Sequence, residues 1–188
     1  MSTVTWFEMS KDSKPEKSFP EKFKRWFRLE RGNVPGNREI RLTDELRAEL
    51  GRESPTSTRI KAIKELNELL TTRRLEENGN EKLWLLVQDL LALSSPTEHR
   101  HTTLQMLTTL TAAHDRLGHM RHVFFNYIVE NYQQEEIKPM FDFFREVIAD
   151  GKQLEYIEDL TGSFLLEWLP MILASPQASD ALHLLVNL

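Results

Sequence analysis

Apolar positions recur along this chain at helical spacing. Ile60, Ile63, Leu66, Leu69 and Leu70 fall three or four apart, which is one face of a helix expected near Ser57 to Arg74. A shorter helix precedes it over Asp44 to Leu50, with Thr43 as its N-cap and Gly51 as its stop. Ser54-Pro55 introduces the longer helix, and Asn78-Gly79-Asn80 ends that unit. The next helix, Glu81 to Leu93, is apolar almost all round, so burial on several sides is expected. Ser94-Ser95-Pro96 breaks it. Further helices are predicted near Thr97 to Arg116, His119 to Tyr132, Glu135 to Ala149, Glu155 to Ala174 and Gln177 to Leu188. Gly118, Gln133-Gln134, Asp150-Gly151 and Ser175-Pro176 separate them. Pro139 fits only the first turn of a helix, so that element is expected to start near Lys138.

The spacing of these helices carries more than their number. Trp84, Phe124 and Phe164 lie 40 residues apart, as do Leu85, Phe125 and Leu165, and again Leu104 and Phe144, with Leu184 a further 40 on. A period near 40 with two helices per repeat marks a HEAT or armadillo array. The predicted fold is therefore all-α: a HEAT/armadillo-like α-solenoid of antiparallel helix pairs over 55–188, with a closed helical bundle as the competing architecture. Leu182, Leu184, Leu185, Val186 and Leu188 form a final apolar helix without a polar outer face. Terminal repeats normally carry one, so the array is expected to be truncated at its C-terminus.

Upstream of the repeats the pattern changes. Residues 1–18 are polar and mixed, and are expected to be a flexible lead-in. Residues 19–54 hold a basic amphipathic helix followed by the short capping helix. Phe19, Phe23, Trp26 and Phe27 follow i, i+4, i+7, i+8 spacing, with Lys22, Lys24, Arg25 and Arg28 mostly elsewhere on Phe19 to Arg31. Two roles are open for Phe23, Trp26, Phe27, Lys24, Arg25 and Arg28. They cover the first apolar face of the array, or they attach the chain to anionic lipid.

Composition narrows the function. Gly (7) and Pro (8) are few, which suits long helices with short connections. With no cysteine, disulfides, thiol catalysis and zinc-finger sites are excluded. No apolar run reaches the ~20 residues of a membrane span, and the N-terminus lacks a signal-peptide layout, so a cytoplasmic location is expected. Residues 1–80 carry 17 Lys and Arg against 14 Asp and Glu, while 81–188 carry 7 against 15. Such an acidic body is a poor nucleic-acid binder. His99 and His101, and His114, His119 and His122, lack carboxylates at ligand spacing, so no metal or other cofactor is expected. Glu76-Glu77, Glu135-Glu136 and Glu158-Asp159 read as solvated helix faces, so no catalytic residue is assigned. Phe124, Phe125 and Tyr127, with Phe141, Phe143 and Phe144, read as core.

A set of short segments, in order, resembles the N-terminal segment of the tuberin family, the large subunits of the tuberous sclerosis complex. They are Glu21-Lys22-Phe23-Lys24, Arg59-Ile60-Lys61-Ala62-Ile63, Glu81-Lys82-Leu83-Trp84, and Arg116-Leu117-Gly118 with Phe124-Phe125. Ala149-Asp150-Gly151 with Tyr156-Ile157-Glu158, Phe164-Leu165-Leu166-Glu167-Trp168 and Leu185-Val186-Asn187-Leu188 complete the set. The resemblance implies a HEAT-repeat scaffold that binds hamartin and restrains TORC1 signalling, at the cytoplasmic face of the lysosome. It implies that activation of the small GTPase Rheb belongs to a C-terminal domain whose catalytic asparagine has no counterpart here. A non-catalytic interaction segment is the expected function, with a peripheral membrane module built on Phe19 to Arg31 as the alternative.

Overall fold

The computed structural model describes residues 39–113, 117–132, 136–148 and 178–186, with scattered positions from 163 to 176. All belong to the second of two units into which the chain divides, Asn33–Leu188. The described part is all-α apart from two short bridging strands. Its elements are β1 (Glu39–Ile40), α1 (Asp44–Leu50), α2 (Thr56–Leu70), β2 (Arg74–Leu75), α3 (Gly79–Val87), α4 (Thr97–Ala113), α5 (Met120–Glu130), α6 (Ile137–Ile148) and α7 (Ala178–Val186). A single 3₁₀ segment, Gln88–Leu91, follows α3 directly.

Local chemistry explains the boundaries. The Thr43 hydroxyl accepts from the Leu46 amide at 3.3 Å and caps α1, and the Gly51 amide closes its end on the Arg47 carbonyl. Pro55 and Pro96 stand just ahead of α2 and α4, where a missing N–H costs nothing. Pro139 is the third residue of α6, inside the first turn as its ring requires. Helix α2 ends at Leu70, short of the expected Arg74, because Arg74 and Leu75 pair in parallel with Glu39 and Ile40. The Glu76 amide donates to the Ile40 carbonyl at 2.9 Å, and the Leu42 amide donates to Glu76 Oε1 at 3.3 Å, extending this clasp. Asn78 then takes a left-handed conformation, φ 59°, which reverses the chain so that α3 begins at Gly79.

Helices α2, α4 and α6 pack side by side, with α4 between the other two. Ile63, Leu66, Leu69 and Leu70 of α2 meet the core with Leu104, Met106, Leu107 and Leu110 of α4. Met140, Phe141, Phe143, Phe144 and Val147 of α6 are buried likewise. Helix α4 carries six threonines in its 17 residues. The hydroxyls of Thr102, Thr103, Thr108, Thr109 and Thr111 each donate to the carbonyl four residues earlier, at 2.8–3.1 Å. Two of these residues, Thr103 and Thr111, are buried, and the back-bond satisfies their hydroxyls inside the apolar row.

Helices α3 and α5 meet through aromatic rings. Trp84 packs on Phe124 with centroids 5.0 Å apart and edge-on against Tyr127 at 5.1 Å. Phe125 of α5 lies 5.4 Å from Phe144 of α6. Trp84 and Phe124 thus occupy matching core positions one period apart, as do Leu104 and Phe144; Phe164, Leu165 and the side chain of Leu184 lie outside the described residues. The second series needs correcting. Phe125 is buried, but Leu85 is 64% exposed. The burial expected on several sides of Glu81 to Leu93 is confined to the side carrying Leu83, Trp84, Val87, Leu90 and Leu91. The α-helix stops at Val87, and Leu93 stands in solvent beyond the 3₁₀ turn. Leu85 lies about 100° round the helix from Trp84, on the exposed side that it shares with Glu81 and Lys82, four and three residues back. Trp84→Ala should therefore cost about 3–5 kcal/mol, whereas Leu85→Ala should change stability by less than about 0.5 kcal/mol. Urea unfolding of the two variants measures both.

Candidate functional site

The strongest charge–charge geometry lies at the joints between helices. Arg59 and Arg100 stand at the fourth position of α2 and of α4, 41 residues apart, and both are buried. The Arg59 Nε donates to the Leu50 carbonyl at 2.9 Å, at the end of α1. Its two terminal nitrogens donate to Asp89 at 2.8 Å each, and one also reaches the Leu86 carbonyl at 2.8 Å. Arg100 repeats the arrangement. It donates to the Leu91 carbonyl, nine residues back as for Arg59, and to the Asn131 carbonyl beyond α5. Its Nε and a terminal nitrogen grip Glu136 at 2.6 and 2.5 Å. A third buried arginine, Arg121 of α5, donates to the Val147 carbonyl in the last turn of α6 at 3.2 Å.

The local sequence accounts for the repetition. Ser54-Pro55-Thr56-Ser57-Thr58-Arg59 and Ser95-Pro96-Thr97-Glu98-His99-Arg100 share the pattern Ser-Pro-Thr-x-x-Arg. In each, the serine hydroxyl donates to a carbonyl six residues back, Ala48 at 2.6 Å and Asp89 at 3.1 Å. The proline starts the helix, and one turn later the arginine folds back onto the preceding helix end. This signal sits at polar positions, which the apolar period does not include. The reading of Glu135-Glu136 as a solvated face is corrected by the same geometry. Glu136 is 2% exposed, because its charge belongs to the Arg100 joint.

These joints hold the helices in register. The guanidinium hydrogen bonds to Asp89 hold its carboxyl below its ordinary value of 3.8 against the opposing effect of burial, with Arg52, 3.8 Å away, adding to the pull. Burial raises the Tyr127 hydroxyl above its ordinary range, with the Asp89 charge as a smaller contribution.

An open groove of about 440 Å³ lies between α2 and α4. Ser57, Ile60, Lys61, Lys64, Glu65 and Glu68 of α2 form one wall, and Glu98 and His99 of α4 the other. Lys64 and Glu98 face each other at 3.5 Å across it, both well exposed. The Glu65 Oε2 and His99 Nδ1 atoms are buried without a hydrogen-bond partner. Among the described residues no three His, Asp or Glu side chains gather as metal ligands, and no helix is long and apolar enough to cross a membrane. His119 Nε2 lies 3.3 Å from Glu81, on the surface. The sequence-predicted contact residues Phe23, Lys24, Arg25, Trp26, Phe27 and Arg28 lie outside the described residues.

Removing one member of the buried Arg100–Glu136 pair strands the other. Arg100→Met alone should cost about 3–5 kcal/mol, and Arg100→Met with Glu136→Leu should recover only the part due to the stranded carboxylate, since the Leu91 and Asn131 carbonyls stay unmatched, as urea midpoints of the cycle will measure. For Asp89 the folded-state pKa is depressed, so its stabilisation is present above the unfolded value and is lost as pH falls through the folded one. Asp89→Asn should lower the unfolding midpoint at neutral pH, and the gap to the parent protein should close as acid unfolding proceeds below pH 3.8.

The row of α2, α4 and α6, with both joint arginines Arg59 and Arg100, lies inside the span matched by a family model. Residues 56–183 match the model described as Domain of unknown function (DUF3384), and the chain belongs to that family.

Proposed function

We propose that this chain is the N-terminal scaffold segment of a tuberin-like protein, an α-solenoid of helix pairs that binds hamartin and carries no catalytic step itself. The observation that carries this reading is the family match over 56–183, which spans most of the segments that resemble tuberin. The packing of α2, α4 and α6 in a row supports the solenoid form. In a solenoid each unit contacts only its neighbours, and long side surfaces stay free for a partner. The Arg59 and Arg100 joints support the scaffold role, since they fix successive helices at set positions and pre-organise those surfaces. Activation of Rheb, and through it restraint of TORC1, belongs on this reading to a domain that no segment of this chain resembles.

The test is capture of hamartin by the tagged full chain. Enrichment should exceed that on an unrelated HEAT-repeat fragment of similar charge. Equal recovery on both baits sinks the reading.

A further inference from the structure

The helices turn two kinds of surface to solvent. On α2, α4 and α6 no large apolar side chain stands exposed among the described residues. Their outward charges are of both signs and include the pairs Lys64–Glu98, Lys138–Asp142 and Arg145–Glu146. On α3 and α5 the surface is different. Leu85 is 64% exposed and Val123 36%. Glu81 meets His119 at 3.3 Å, and Trp84 meets Phe124, so the two helices run side by side and in step. Leu85 and Val123 each stand four residues beyond the Glu81–His119 pair, which puts them next to each other on the outer side. About one period further on, Leu166 and Leu173 are 61% and 58% exposed, seven residues apart. Single exposed aliphatics are ordinary, whereas an adjacent pair that recurs with the repeat marks a surface kept for a partner.

We propose that the outer side of α3 and α5 receives an amphipathic helix of a partner protein. Its aliphatic residues sit on Leu85 and Val123, and its lysines or arginines meet the carboxylates around them. The inference rests on the scaffold reading, and it names the face used and the chemistry of the partner. Charge argues for a basic helix. Glu81, Glu130 and Glu167 are exposed beside the aliphatic positions, and no cation pairs with Glu130 or Glu167. Lys82 is the one exposed Lys or Arg on this side among the described residues. The other described cations from residue 81 on are committed elsewhere: Arg100 and Arg121 are buried, and Lys138 and Arg145 hold carboxylates of α6. Spacing argues for a helix. Packed neighbouring helices stand about 8–10 Å apart, and seven residues of α-helix advance about 10 Å. Aliphatic residues seven apart on a helix laid across α3 and α5 therefore meet Leu85 and Val123 in turn.

The test titrates the full chain into fluorescently labelled helix-forming Ala/Gln peptides and follows anisotropy. One peptide carries leucines seven apart flanked by lysines. In the second, glutamates replace the lysines, and in the third, alanines replace the leucines. The first should bind at least about tenfold more tightly than either of the others. Leu85→Gln with Val123→Gln should weaken it at least about tenfold, and Glu130→Lys about two- to fivefold. Lys138→Glu, on α6, should leave it unchanged. Both glutamines replace exposed side chains, and circular dichroism will establish that the helices are kept. Equal binding of the lysine and glutamate peptides, or binding that survives the double change in a folded variant, overturns the inference. So does a loss on Lys138→Glu as large as that on the double change. Capture of hamartin separates the two readings. Hamartin kept by the double variant as well as by the parent overturns this face and leaves the scaffold standing. Peptide binding in the expected order while the parent captures no hamartin supports the face and overturns hamartin as its occupant.

Discussion

A guanidinium is wide enough to touch two helices and the connection between them at once, and the described fold depends on that reach. Arg59 touches the end of α1, the end of α3 and the 3₁₀ turn after it. Arg100 does the same at the next joint, with the end of that 3₁₀ turn, the end of α5 and Glu136 at the start of α6. Helix ends leave carbonyls without intrahelical partners. In a row of short helices many such ends fall inside the molecule, where an unmatched acceptor is costly. Five donors fixed in one plane satisfy several of them without admitting water. The carboxylate at each joint then neutralises the charge that the arginine brings.

Apolar packing supplies most of the driving force, but it does not by itself set the angle or register of one helix against the next. Leu and Phe positions tolerate sliding, while a bidentate contact does not. The two kinds of interaction divide the work. The core of α2, α4 and α6 holds the row together, and the joints choose one arrangement of it. The aromatic contacts of Trp84 with Phe124 and Tyr127 repeat this logic between α3 and α5, with large flat groups that fit in few ways.

Much of the helical layout was legible because Pro, Gly and Ser sit where helices stop, and because Thr43 and Pro139 have narrow positional preferences. The 40-residue period was legible in Trp84 and Phe124 and in Leu104 and Phe144. It misled at Leu85, since period alone does not say which of two adjacent apolar residues faces inward. The β1–β2 clasp was not legible, because a pair of two-residue strands leaves no alternation to detect. The burial of Glu136 was hidden by its neighbour Glu135, which made it look like half of a solvated acidic pair. The Arg59 and Arg100 joints were legible through Ser-Pro-Thr-x-x-Arg, but only to a comparison that includes polar positions. The groove between α2 and α4 had no signature in the sequence, since its walls come from helices separated by some 30 residues and from charges that look like any solvated face.

The threonine content of α4 has a consequence for cooperativity. β-Branched residues that bond back to their own helix are poor helix formers, so α4 owes its shape to the neighbours on either side of it. An array whose middle member has little intrinsic stability, but strong coupling to both flanks, cannot fray one repeat at a time through that point. Loss of α2 or α6 removes the support that keeps α4 helical, and loss of α4 severs the row. The central helix thus works as a fuse rather than a spacer: it makes three neighbouring helices stand or melt together.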